Sequence, residues 1–342
     1  MQSIFINGNE IKPGSRATID LPVGKLYTHT PMSMPVHVVN SRKPGPRLFV
    51  SAAIHGVEII RRLIKLPALK QMHGSLIAVP IVNVHGFINQ SRYLPDRRDL
   101  NRVFPGSETG SLAARLANIF MREIVANSTH GIDIHTGALH RNNLPQIRAN
   151  LSDPETERLA RVFGTPVIIS SSLRDGSLRE AAGEAGIPML LYEAGEALRF
   201  DEVAIRAGVR GVTEVMRALG MLPTSRRPSN TIEPVITDAT YWIRAASSGI
   251  LRPMAKLGGH VKKGSLLGVI SDPFGEKEVQ VISLYNGIII GRTNLPLVNE
   301  GDALFHVARF KEHSEAAALV EEFNDQHLPE ANEPMGTEGP IN

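Results

Sequence analysis

Between about residues 45 and 222, short apolar runs of β type alternate with amphipathic stretches of helical period. "RLFVSAAI" reads as a strand leading into a helix, and "GSLIAVPIVN" as a second apolar strand. "HGIDIHTG", "PVIISS" and "PMLLYEAG" are three further short strands. "SLAARLANIFMREIVAN" places Leu112, Leu116, Ile119, Phe120 and Ile124 on one face, which predicts an amphipathic helix. "DEVAIRAGVRGVTEVMRALG" predicts another, closed by Gly220 and then Pro223. Strands and helices alternating at this length imply an α/β domain with largely parallel central strands. Residues 1 to 45 are rich in turn formers and predict an N-terminal strand or two.

The pattern changes at "PTSRRPSN" (223–230), which reads as a linker. From 231 to 310, short β runs are punctuated by "SSG", "LGG", "KKGS", "DPFG", "YNG" and "NEGD", which predicts a small all-β domain of hairpins. Residues 311–342 read as a short helix (315–323) followed by a polar, Pro-rich end expected to be disordered. The expected organisation is therefore an α/β domain over 1–222, the linker, a β domain over 231–310 and a tail.

Composition narrows the function. The 342 residues are 42% hydrophobic and 21% charged, as in a globular chain large enough for one big domain and a smaller one. No apolar run approaches the roughly 20 residues of a membrane span. The N-terminus lacks the basic-then-apolar order of a signal peptide, so a cytoplasmic location is expected. There is no cysteine, so any metal must be held by His, Asp or Glu. The net charge is only +3, aromatics are 5%, and basic residues are scattered apart from "PDRRDLNR". A nucleic-acid surface wants a concentrated basic stripe with stacking aromatics, so the arginines read instead as local anion binders. Association into a homo-oligomer is left open.

In open α/β sheets, ligands bind beyond the carboxyl ends of the strands. The polar residues there are His55 and Glu58 after the first strand, Asp133 and His135 at the end of "GIDIH", and Glu193 and Glu196 after "MLLY". Two imidazoles and a carboxylate make a zinc site with an open position, and a further carboxylate can act as base on the water. Each residue also has a structural reading. Glu58 favours a helix N-terminus and pairs with Arg62 four residues on; Glu193 and Glu196 can cap or salt-bridge a turn. "RYLPDRRDLNRVFPG" (92–106) offers arginines that bind carboxylates bidentately, with Asn101 beside them. Alternatively, Asp96, Asp99 and the arginines pair among themselves in a solvated loop.

With "AAIHGVE", "DLNRVFPG", "DIHTG" and "YEAGE" in this order, the sequence resembles the succinylglutamate desuccinylase/aspartoacylase family, relatives of the zinc carboxypeptidases, over roughly residues 45 to 310. The resemblance implies a mixed, mainly parallel sheet flanked by helices. It implies one zinc per chain on His55, Glu58 and His135, and Glu193 as the base that deprotonates water and then protonates the leaving amine. It assigns Arg102 and Asn101 to the substrate carboxylate and Arg92 to the scissile carbonyl, with Arg97 or Arg98 as alternatives. The implied reaction is hydrolysis of an amide in a small N-acyl amino acid. A metallocarboxypeptidase and a non-catalytic relative with an impaired metal site are the competing readings. "GGHVKKGSLLGVISDPFG" and "VQVISLYNGIIIGRTNLPLVNEGDALFHVA" look like a biotinyl/lipoyl-type β-sandwich without its lysine hairpin, hence a structural or active-site-covering module.

One departure from the family pattern matters. Family members place an Asp or Asn before the metal glutamate and an Asn-Gly segment after it, then a Val-Glu-Ile-Ile-like helix start. Here His55-Gly56 runs straight into Val57-Glu58-Ile59-Ile60. Ile59, Ile60, Leu63 and Ile64 keep a 3.6-residue stripe and must face the sheet. The expectation is that Glu58 still coordinates the metal, with reduced zinc affinity.

Overall fold

The computed structural model describes residues 2–52, 55–224 and 233–310, together with 320, 322, 323, 326 and 327; the side chain of His55 is not among those described. The expected linker (223–230) and tail helix (315–323) lie largely outside these residues.

Two antiparallel pairs open the chain: β1 (Ile4–Ile6) with β2 (Asn9–Ile11), and β3 (Ser15–Lys25) with β4 (Pro31–Asn40). The N-terminal region therefore holds four strands rather than one or two. Next come β5 (Lys43–Ala52), α1 (His55–Leu63), β6 (His73–Val79), α2 (Val84–Ile88), α3 (Leu112–Glu123) and β7 (His130–His135). They are followed by β8 (Arg141–Ala149), α4 (Pro154–Phe163), β9 (Val167–Ser170), α5 (Leu178–Glu184), β10 (Met189–Gly195) and α6 (Glu202–Ala218). The C-terminal part comprises β11 (Val235–Thr237), β12 (Thr240–Arg244), β13 (Gly249–Pro253), β14 (His260–Val261), β15 (Leu266–Ser271), β16 (Glu278–Ile282), β17 (Gly287–Thr293), β18 (Leu297–Val298) and β19 (Ala303–Arg309).

The fold is mixed α/β. At its centre β6, β5, β7 and β10 run parallel, and β8 lies antiparallel beside β10. The ends of β5, β7 and β10 thus share one edge with the start of β8, which is where ligands bind in open sheets. α1, α4 and α6 cover one face. Ile59, Ile60 and Leu63 from α1 join Leu159, Phe163, Val212 and Val215 in one core with Leu48, Val50 and Ile132 from the sheet. The expected stripe on α1 does face the sheet. α3 covers the other face, and its Phe120 meets Phe49 edge-on at 5.8 Å between ring centroids.

The C-terminal strands divide in two. β13, β15, β16 and β18 form a separate four-stranded sheet. β17, β19 and β12 instead continue the main sheet, joined through β17 against β8, and β14 and β11 add to it against β17 and β9. The apolar faces of both pack into a common cluster with Leu251, Leu267, Ile289 and Phe305.

Candidate functional site

β7 places Asp133 and His135 on one face of the sheet because side chains two apart on a strand point the same way. In register, Ser51 on β5 pairs with Asp133, and Glu193 on β10 pairs with His135. The intervening Tyr192 points to the opposite face, where its hydroxyl donates to the Ala204 carbonyl at 2.7 Å. A single alternation thus buries Tyr192 in the core and presents Glu193 beside His135.

Hydrogen bonds fix these groups. Ser51 Oγ donates to Asp133 Oδ1 at 2.7 Å, and Asp133 Oδ2 lies 2.6 Å from His135 Nε2. Burial pushes the His135 pKa down, but the Asp133 carboxylate beside it, helped by Glu193, outweighs burial and the net shift is upward. Asn143 Nδ2 donates to Glu193 Oε2 at 3.0 Å, and Arg148 Nε forms an ion pair with Glu193 Oε1 at 3.2 Å. Gly137, in "DIHTG", lets two backbones meet: a Cβ there would lie 2.1 Å from the Arg141 carbonyl oxygen and 2.9 Å from that of Gly195.

The loop 92–106 divides its roles. Arg92 is paired with Asp99 at 2.7 Å, as the self-paired reading of the loop expects. Asn101 Oδ1 accepts from the Leu178 backbone N–H at 2.9 Å, tying the loop to the start of α5. Arg92, Asn101 and Arg102 nevertheless line the same cavity as His135 and Glu193. Arg97 and Arg98 are not among its lining residues. Glu196 is a tether: it accepts from the His140 backbone N–H and from Asn294 Nδ2, joining β10 to the C-terminal part.

That cavity, about 750 Å³, is rich in arginine. Arg141, Arg148, Arg174, Arg179 and Arg244 line it in addition to the loop arginines, against the carboxylates Asp133, Glu193 and Asp238. Arg179 is buried, and its Nη1 has no hydrogen-bond partner. Burial and the like charge of Arg148 pull its pKa down to about 10. A row of residues carries the cavity wall across four strands: Asn143 on β8, Gly291 on β17, His306 on β19 and Trp242 on β12 are successive register partners. Gly291 leaves the room the row needs, since a Cβ there would sit 2.9 Å from Asn143 Oδ1. Trp242 stacks on His306 at 4.3 Å between ring centroids, with the Arg141 guanidinium 4.5 Å over its ring. Sequence reasoning missed Arg148, Arg179, Arg141, Trp242 and His306. The only local signal was alternation in "LPQIRAN", which puts Arg148 on the face of Gln146 and Leu144.

Glu58 is placed apart from this group. Its carboxylate pairs with Arg61 at 3.0 Å and Arg62 at 2.9 Å, and it lines neither large cavity. Arg62 continues to Glu202 on α6 at 2.6 Å, and Glu202 also takes Arg206. The local reason is the short connection. With helix beginning at His55, the fourth residue already faces α6, where cations and a second carboxylate complete a helix–helix network. His55 itself opens α1 beyond Ala52, whose register partner on β7 is Ile134, so its backbone lies at the same sheet edge as His135. Among the described residues, no group of three or more metal-ligating side chains assembles. The donors described fit one metal-bound imidazole, His135, oriented by Asp133 as metal-ligating histidines are by second carboxylates. The Glu58 carboxylate, the third expected ligand, is held by Arg61 and Arg62 in this structure.

The mixed α/β fold and its polar strand edge are shared with a known family of deacylating enzymes. A family model for the succinylglutamate desuccinylase/aspartoacylase catalytic domain matches residues 44–219, and the chain belongs to that family. It is 27% identical over 298 residues to the N-alpha-acetyl-L-2,4-diaminobutyric acid deacetylase of Halomonas elongata, covering 82% of this chain and 86% of that one. Among solved structures, the product-bound ectoine utilization protein EutE (DoeB) of Ruegeria pomeroyi superposes with TM-score 0.78 at 21% identity, over 91% of this chain and all (100%) of that one. A succinylglutamate desuccinylase/aspartoacylase from Rhodobacter sphaeroides gives TM-score 0.76 at 21% identity, over 88% of this chain and 97% of that one. At these identities the structural likenesses establish the fold.

Proposed function

We propose that the chain is a zinc-dependent deacylase that hydrolyses the amide of a small N-acyl amino acid. The observation that carries this reading is the adjacency of His135 and Glu193, register partners at the strand edge, at the wall of an arginine-lined cavity. Family membership and the deacetylase relative support it.

In the reaction, the oxygen of water bonds to the carbonyl carbon, the carbon–nitrogen bond breaks, and a carboxylate and a free amine result. Glu193 takes a proton from the water and returns it to the departing nitrogen; Asn143 and Arg148 hold its two oxygens for that exchange. Arg102 grips the carboxylate of the amino acid, with Asn101 fixing its loop, and Arg92 lies toward the carbonyl oxygen. Zinc would supply a more acidic water and a polarised carbonyl. In this proposal His55 and His135 are its protein ligands, and Glu58 has to release Arg61 and Arg62 to join them.

One specific observation favours a second reading, a relative with an impaired metal site: the Glu58 carboxylate is already held by two arginines. Elemental analysis of purified protein, beside hydrolysis of an N-acyl amino acid panel and a dipeptide panel, separates the readings. About one zinc per chain, lost in His135→Ala, with release of amine from acyl amino acids is expected. Cleavage of the dipeptides alone would make the protein a carboxypeptidase. No zinc and no turnover, even with zinc added, would establish the impaired relative.

A further inference from the structure

Two cavities share a wall. Arg92, Asn101, Asp133, His135 and the segment 136–138 line both, so an amide held against His135 has a cavity on either side. The two sides differ in chemistry. Beyond the shared wall, the smaller cavity, about 430 Å³, is lined by Val82, Phe87, Phe104, Leu139, Leu178 and Leu198. Its charges cancel internally, since Arg92 is paired with Asp99 and His135 with Asp133. Its other polar residues, Asn83, Gln90, Ser91 and Thr136, are neutral, so the space offers a carboxylate no unpaired cation and its apolar side favours hydrocarbon.

The larger cavity is the reverse. Beyond the wall it carries Arg141, Arg148, Arg174, Arg179 and Arg244 against Glu193 and Asp238. Arg179 Nη1 is buried there with its hydrogen-bonding capacity unused, and crowding by neighbouring guanidinium groups adds to the cost of its charge. Anionic groups relieve both. His306, at the far side, stays neutral and adds no charge of its own, its pKa lowered to about 3 by burial and by Arg148 and Arg141.

We propose that this site prefers an N-acyl acidic amino acid whose acyl group is a hydrocarbon chain several carbons longer than acetyl. The chain occupies the apolar cavity, and the carboxylates of the amino acid lie among the arginines. The fate of the amide rests on the deacylase reading, whereas the binding preference does not require turnover.

The test is chain-length dependence of binding, read by titration calorimetry on chelator-treated protein with N-acetyl-, N-butanoyl- and N-octanoyl-glutamate. Each methylene buried in the apolar cavity should tighten binding roughly fourfold, so octanoyl-glutamate should bind at least about 100-fold more tightly than acetyl-glutamate. Leu139 is half exposed at the cavity rim, so Leu139→Asp should spare folding. It should weaken octanoyl-glutamate by about tenfold or more while moving acetyl-glutamate by less than about twofold. Equal affinity for the short and long chains, or octanoyl binding indifferent to Leu139→Asp, overturns the proposal. Failure of the deacylase reading looks different: octanoyl-glutamate binds tightly, but metal-replete protein hydrolyses no member of the series. Hydrolysis of acetyl-glutamate with exclusion of the octanoyl compound overturns the chain-length preference and leaves the deacylase.

Discussion

Two carboxylates lie at the carboxyl ends of parallel strands of one sheet, Glu193 near the end of β10 and Glu58 in the helix that follows β5, and the fold treats them oppositely. Glu193 ends a strand, and strand alternation alone aims it into the cavity beside His135. Its partners, Asn143 and Arg148, come from the adjoining strand, so rigid backbone positions all three. Glu58 sits in the first turn of α1, where direction is set by helix phase and by the length of the preceding connection. That connection is short, and the phase delivers Glu58 to Arg61, Arg62 and, through Arg62, to Glu202 on α6. A strand-end residue keeps its direction when nearby loops change length, whereas a helix-start residue does not. The difference between the two glutamates is one of geometry, since both side chains are partly buried and both meet arginine.

The largest effect that sharpens this contrast is expected at Glu193. Glu193→Gln preserves an oxygen to accept from Asn143 but cannot take a proton, so turnover should fall by roughly 10²–10⁴-fold. The melting temperature and any bound metal should be retained. Near-parental kcat would move the base to another residue and dissolve the distinction between the two glutamates. A smaller effect concerns the polar row that backs Glu193. His306 is pressed to a pKa of about 3, against an ordinary value of 6.5, by burial and by Arg148 and Arg141. The unfolded chain takes up a proton there between these values while the folded chain does not. Stability is therefore fully present above about pH 6.5 and is lost as pH falls towards 3, by an amount on the order of a few kcal/mol. Thermal melts from pH 7 to 4.5 should show this slope, and His306→Gln should make it shallower, the remainder coming from the other histidines that burial depresses, His327 (to about 4) foremost. An unchanged slope would mean that His306 is not the buried neutral group of that row.

Much of this was legible in the chain. The apolar runs over 47–52, 74–79, 131–135, 167–170 and 189–195 are strands because continuous hydrophobicity suits strands covered on both faces. The amphipathic periods at 112–124 and 202–218 are helices for the reason given by their stripes. β8 escaped notice because "RNNLPQIRA" is polar and carries Pro145, yet it lies inside the sheet with Asn143 and Gln146 buried. Its polar residues serve the cavity, a purpose that no local pattern announces. The same holds for the C-terminal strands. Short β runs disclose that strands exist but not their partners, and five of them (β11, β12, β14, β17 and β19) join the main sheet. The arginine cavity draws on segments around residues 92, 141, 174 and 244, so its charge is visible only once the sheet brings them together.

The smallest expected effect is the one that decides what Glu58 does. In the structure it bridges Arg61 and Arg62 with about an eighth (12%) of its side chain exposed, and Arg62 keeps Glu202 whether or not Glu58 is charged. Removing the charge by Glu58→Gln therefore strands no buried cation, and the loss in stability should be about 1 kcal/mol or less. A metal ligand behaves otherwise. Loss of one carboxylate from a three-ligand site leaves two imidazoles, and metal affinity drops by orders of magnitude while stability of the metal-free protein barely moves. The two roles separate in a pair of measurements on Glu58→Gln: the melting temperature of chelator-treated protein, and zinc affinity by competition with a coloured chelator. A small fall in the first with no change in the second fixes Glu58 as a helix–helix residue. A collapse in zinc affinity with an unchanged melting temperature would mean that Glu58 leaves its arginines for the metal, and the contrast with Glu193 would then hold only for the metal-free protein.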